Sequence, residues 1–90
     1  MSRIHDRLFR LNEEIDRLRA EERLTEGELG MLEHLDDDAR RDAAVGGPLE
    51  RDDARMTAGD VARFRTTLAG LQSRRARLEA KRERLLERLG

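Results

Sequence analysis

Ninety residues make one small domain, and 43% of them are charged while only 2% are aromatic. That balance excludes an ordinary compact core and points to a solvated helical hairpin or coiled coil. With no cysteine there is no disulfide framework and no thiolate site, and the chain fits the cytoplasm.

The formal net charge of −1 is unevenly spread: residues 1–57 carry 16 acidic and 10 basic side chains, and residues 58–90 carry 4 and 9. Halves of −6 and +5 attract each other, which favours an intramolecular hairpin or an antiparallel dimer over parallel pairing. High charge is also the mark of disorder, but the apolar residues are too regularly ordered for that. No apolar run is long enough to span a bilayer, and no signal peptide opens the sequence.

The spacing predicts a first helix over residues 3–41. Ile4, Leu8, Leu11, Ile15, Leu18, Glu22, Thr25, Leu29, Leu32, Asp36 and Ala39 recur at alternating steps of four and three. This is a heptad seam, the pattern that winds helices round one another. Its middle is polar, at Glu22 and Thr25. Ser2 stands where an N-cap belongs. Gly27 and Gly30 permit close helix approach or simply soften the helix, and softness is the preferred reading. The acidic run Asp36-Asp37-Asp38 reads as a solvated helix end rather than a metal site, because consecutive helical positions point in different directions.

A loop is expected over residues 42–56, with Gly46-Gly47-Pro48 as the breaker. A second helix is expected over residues 57–89. Thr57 takes the N-cap, Asp60 completes a capping box, and Met56 and Val61 form a hydrophobic staple. Its seam runs Val61, Phe64, Leu68, Leu71, Arg75, Leu78, Arg82, Leu85, Leu89, interrupted by Arg75 and Arg82. The predicted fold is all-α, a two-helix antiparallel coiled-coil hairpin. A reversal near residue 50 sets Ala39 against Val61, Leu32 against Leu68 and Leu11 against Leu89. It also brings Glu22 within a turn of Arg75, so that Glu22, Thr25, Arg75 and Arg82 form a polar layer. Such a buried pair selects register more surely than it stabilises.

An isolated two-helix hairpin of this size is marginal. Phe9, Leu24, Met31, Leu35 and Leu86 lie beside the seam and stay wet in a monomer. The hairpin is therefore expected to associate along this flank, with itself as a four-helix bundle or with another protein.

No catalytic constellation is found. His5 and His34 lie far apart on one helix, neither with a Glu or His at i+4 to suggest a metal pair; His34 has Asp38 at i+4 for ordinary helix-face pairing. There is no phosphate-binding loop and no nucleophile elbow. The expectation is a protein with no enzymatic activity, no metal and no cofactor.

The stretch from Glu21 to Asp36 resembles the helix signature of RsiG-type anti-sigma factors, Glu-x3-Ser-x2-Arg-x3-Gln-x3-Asp. Glu21 matches the glutamate, Thr25 stands for the serine and Asp36 matches the aspartate. Those proteins are antiparallel coiled-coil hairpins of high-GC Gram-positive bacteria, and they sequester a sporulation sigma factor when cyclic di-GMP is bound. A basic complement of 18 Arg and one Lys within 19 fits such a genome. The resemblance implies a sigma factor as partner. Glu28 stands where the arginine belongs, however, and Leu32 where the glutamine belongs. A carboxylate there repels the dinucleotide instead of forking onto it. In the second helix only Thr67 fits the serine, while Arg63, Gly70, Arg74 and Leu78 depart from the signature.

Three functions remain open. The leading one is a cytoplasmic protein-interaction hairpin that regulates transcription as an anti-sigma factor does. The second is a homodimeric coiled-coil scaffold. The third is a nucleic-acid-binding hairpin using Arg74, Arg75, Arg77, Arg82 and Arg84, opposed by the acidic first half and the lack of aromatic residues to stack on bases.

Overall fold

The computed structural model describes residues Arg3–Gly90, so Ser2, the expected N-cap, lies outside the described residues. The chain forms an all-α hairpin of two helices, α1 (Arg3–Val45) and α2 (Pro48–Leu89). Each is built on the four–three alternation of its seam. Of the described residues of α1, Leu8, Leu11, Ile15, Leu18, Glu22, Leu29 and Asp36 are buried, and Ile4, Thr25, Leu32, Ala39 and Ala43 half-buried. Between them these are the seam positions, continued one step beyond Ala39.

The expected loop over residues 42–56 is not present. Helix α1 runs four residues past 41, and α2 begins at Pro48, nine residues before Thr57. The reason is visible in the local chemistry. Gly46 N–H closes the last turn of α1 on the Asp42 carbonyl at 2.8 Å, and Arg51 N–H opens α2 on the Gly47 carbonyl at 3.2 Å. Pro48 sits at the first helical position, where its missing N–H costs nothing and its fixed φ suits the helix. Glu50 reaches back and accepts the Gly47 N–H at 2.8 Å. This is the reach-back half of a capping box, three residues after the cap.

The cap expected at Thr57 therefore moves to Gly47 and Glu50. Thr57 lies inside α2, with its hydroxyl between the Ala54 carbonyl at 3.1 Å and Asp36 Oδ1 at 3.2 Å. Asp60 pairs with Arg63 instead of capping. Met56 is exposed and Val61 buried, so they form no staple. Gly46 is required at the reversal: a Cβ there meets the Asp42 carbonyl oxygen at 2.7 Å.

The contacts group into two compact units. The first joins the described part of Met1–Arg23 to Ala69–Gly90, and the second is Leu24–Leu68. In the first unit Leu8, Leu11 and Leu85 form a core cluster against which Ile4 and Leu78 pack. Leu11 thus meets Leu85, one helical turn before the expected Leu89, and Leu89 is 45% exposed. The reversal at Gly46-Gly47, rather than near residue 50, accounts for the shift. Ile15 is fully buried in this unit, and Leu18 and Leu71 are buried as well. In the second unit Leu29 and Val61 are the buried apolar residues. The other apolar positions of its seam are half-buried: Leu32, Ala39, Ala43, Ala54, Phe64 and Leu68.

Candidate protein-docking surface

Two polar layers interrupt the seam, and both are satisfied. In the first unit Arg75 Nε donates to Glu22 Oε2 at 2.6 Å and a second guanidinium nitrogen donates to Glu79 at 3.1 Å. Arg19 donates to the same Glu79 oxygen at 2.8 Å. Glu22 is 6% exposed, so Arg75 supplies the polar partner that water does not. Bonds from Arg19 first and Arg75 second hold the Glu79 carboxyl below the usual carboxylate range. Bonds to Glu22 first, then Glu79, hold the Arg75 guanidinium above its ordinary value. Arg82, also expected in the polar layer, donates to Asn12 at 2.9 Å.

In the second unit the buried polar residue is Asp36, 4% exposed. It accepts from Thr57 and pairs with Arg40 at 2.8 Å. The expected solvated helix end is thereby corrected. Asp36 lies in the seam, the helix continues past it, and only Asp37 and Asp38 of the run are exposed. Asp38 pairs with Arg41 at 3.5 Å rather than with His34. Thr25 is half-buried in this unit. No Cβ built on Gly27 or Gly30 meets anything within 4 Å, so neither glycine serves a close approach.

The residues named for the flank are all exposed: Phe9 65%, Leu24 70%, Met31 70%, Leu35 54% and Leu86 50%. They do not form one group. Phe9 and Leu86 belong to the first unit, whereas Leu24, Met31 and Leu35 belong to the second. At steps of seven and four, those three share one side of α1. Met31 and Leu35, with Leu32 and with Phe64 from α2, line an open groove rimmed by Glu28 and Asp60. An adjoining hollow shares Leu35 and Asp60 and adds Met56, again among carboxylates that include Asp42 and Asp53. Sequence reasoning passed over Met56 and Phe64, one as a staple and the other as plain seam. Their places two and ten residues after Ala54, itself a seam position inside a helix misread as loop, were the available signal.

The first unit carries grooves of the opposite sign. One is lined by Arg7, Lys81, Arg84 and Arg88 with Leu85 and Glu87, and its neighbour adds Arg10 and Glu14. Among the described residues none of these five cations makes an ion pair. Two of the arginines expected to contact nucleic acid, Arg75 and Arg82, are instead occupied within the hairpin. The signature residues are dispersed: Glu21 and Glu28 are exposed, Thr25 and Leu32 half-buried, and Asp36 buried.

Among the described residues no group of three His, Asp or Glu is placed to hold a metal ion, and no helix is long and apolar enough to cross a membrane. Set against known proteins, the chain matches no family model, no curated protein and no solved structure.

Proposed function

We propose that this hairpin is a non-enzymatic protein-interaction module that holds a partner along its exposed apolar flank, most specifically as an anti-sigma-like regulator of transcription. One observation carries the reading: Leu24, Met31 and Leu35 stand at least half exposed on one side of α1 within a single unit. Scattered apolar residues need no explanation, but large ones gathered on one side of a helix are what association covers. The resemblance of Glu21–Asp36 to the anti-sigma signature is what supports a sigma factor as partner. Cyclic di-GMP is not part of the proposal, because Glu28 replaces the arginine the nucleotide would need.

The test compares the wild-type chain with a Leu24→Ser, Met31→Ser, Leu35→Ser variant, each used to capture a partner that is then identified. The expected result is one protein retained by the wild type and lost with the variant, whose circular dichroism is unchanged. If that protein is a sigma factor, the hairpin suppresses transcription by the reconstituted polymerase. Equal retention by both chains overturns the reading, and so does a stable monomer that binds nothing.

The basic grooves favour one other reading, a nucleic-acid-binding hairpin using Arg7, Arg10, Lys81, Arg84 and Arg88. Phosphate contacts of that kind make affinity fall steeply with salt, so weak or salt-independent binding to a duplex dismisses it. A homodimeric scaffold would cover the same stripe as the proposed partner, and light scattering separates the two.

A further inference from the structure

We infer that the apolar groove of the second unit seats a basic amphipathic helix of the partner protein. Met31, Leu35 and Phe64 take its apolar side, and the carboxylates around them take its lysines and arginines. This rests on the interaction-module reading and adds the chemistry of the occupant.

The groove has the form that helices dock into. Met31 and Leu35 stand one turn apart on α1, Phe64 forms the facing wall on α2, and Met56 extends the apolar floor into the adjoining hollow. A helix enters such a groove with anchors at i, i+3 or i+4, and i+7. Methionine, unbranched and polarizable, adapts to anchors of differing shape.

Charge decides the occupant. No basic residue lines either the groove or the hollow, whereas Glu28, Asp38, Asp42, Glu50, Asp53 and Asp60 do. Three of these are engaged: Asp60 by Arg63, Asp38 by Arg41, and Glu50 by the Gly47 N–H. Glu28, Asp42 and Asp53 make no ion pair among the described residues. Their field attracts a cationic helix and repels an acidic one or a nucleic acid. A second copy of the chain is a poorer match. Its basic grooves bring cations, but the apolar residues beneath them, Leu11 and Leu85, are buried at 8% and 3% exposure. Those grooves therefore offer charge without exposed apolar anchors in their lining, and the exposed Phe9 and Leu86 of the same unit lie outside it.

The test titrates the full chain into a synthetic helix of about 20 residues, with Leu and Ile at three–four spacing and Lys and Arg elsewhere. The protein has no tryptophan, so a single Trp in the peptide reports binding by fluorescence. Binding at roughly micromolar Kd is expected. It should weaken at least about tenfold for Met31→Ser with Leu35→Ser, and for Asp42→Lys with Asp53→Lys, a loss of about 1.4 kcal/mol each. These side chains are all at the surface, so helicity should not change. An acidic peptide with the same apolar pattern, or a basic one with Ser for each Leu and Ile, should fail to bind.

Equal binding of the acidic peptide overturns the assignment, as does indifference to both double variants. A wild-type dimer that the Met31→Ser, Leu35→Ser change dissolves overturns it in favour of a second copy. Should the peptide fail to bind while the wild-type chain still captures its partner and the Leu24→Ser, Met31→Ser, Leu35→Ser variant does not, the assigned occupant is wrong and the interaction-module reading stands.

Discussion

The two units of this hairpin use the same heptad alternation for different ends. The first buries Leu8, Leu11, Ile15, Leu18, Leu71 and Leu85 and closes its polar layer with a four-membered ionic network. The second buries only Leu29 and Val61 among its apolar residues, fills much of its seam with alanine, and displays Leu24, Met31, Leu35, Val45, Leu49 and Met56. Charge follows the same division. The first unit holds 13 basic and 9 acidic side chains and the second 6 and 11, for nets of +4 and −5. One stretch of the hairpin is thus stabilised by its own side chains, and the other keeps comparable side chains available for something else.

The largest expected effect tests that division directly. Ile15→Ala removes a fully buried side chain and should cost about 3 kcal/mol, lowering the melting temperature by more than about 10 °C. Leu35→Ala, which trims a side chain 54% exposed, should cost about 0.5 kcal/mol or less. Urea unfolding of both variants measures the contrast. Equal losses would break it, since they would require the displayed residue to be as well packed as the buried one.

Next in size is the reversal, which belongs to the second unit. Gly46→Ala drives a Cβ to 2.7 Å from the Asp42 carbonyl oxygen, a backbone atom that cannot rotate away, and to 2.7 Å from the Glu50 side chain that makes the cap. A loss of about 1–2 kcal/mol is expected. Gly47→Ala meets only a carboxylate oxygen at 3.6 Å and should change stability by no more than about 0.5 kcal/mol. Thermal unfolding distinguishes them; the same shift for both would mean that the reversal does not depend on the crowding at Gly46.

Smaller, and of opposite sign, is the effect of filling the open helical glycines. A Cβ on Gly27, Gly30 or Gly70 meets nothing within 4 Å, so alanine should raise stability by about 0.5–1 kcal/mol each through backbone entropy alone. Two of the three lie in the second unit. Gly27→Ala with Gly30→Ala should slow amide exchange there before it does so around Ile15. Unchanged exchange near those glycines would show that the second unit is not the softer of the two.

How much of this was legible in sequence depended on residue size. Leucine and isoleucine announce a seam, so the course of both helices around Ile15 and Leu71 and the meeting of Glu22 with Arg75 follow from spacing. Alanine does not announce one. The steps Ala43, Glu50, Ala54, Thr57 and Val61 keep the alternation on both sides of the reversal, yet they resemble loop composition, and 42–56 was expected to be irregular. The true start of α2 was also written in the chain, as Gly47, Pro48 and Glu50 in cap, first-turn and reach-back positions. The competing signal at Thr57 and Asp60 concealed it. Asp36 was hidden for a different reason. An acidic triplet looks solvated, and only the helix's continuation to Val45 turns its first member inward. The groove was legible in part: exposure of Met31 and Leu35 follows from their place beside the seam, while its acidic surroundings depend on where α2 begins.

The smallest expected effect concerns the ionic network, which only the first unit has. Glu79 takes hydrogen bonds from Arg19 and Arg75 and has its pKa lowered by them. A carboxyl more acidic in the folded chain than in the unfolded one adds stability that is complete above the unfolded value, about 4.3. That stability is lost as pH falls through the lower, folded value. Arg75, whose guanidinium is pushed further from titration by Glu22 and Glu79, stays charged throughout. Glu79→Gln should therefore be less stable than the wild type at pH 7, and the gap should narrow below about pH 4 as the wild-type carboxyl is protonated. Added salt should narrow it at pH 7 as well, because Arg19 and Glu79 are partly open to solvent and screening reaches them. Denaturant unfolding at both pH values measures the gap. A difference that stays constant from pH 7 to pH 3 would mean that Glu79 contributes through packing alone, and the first unit would then lose the electrostatic half of its contrast with the second.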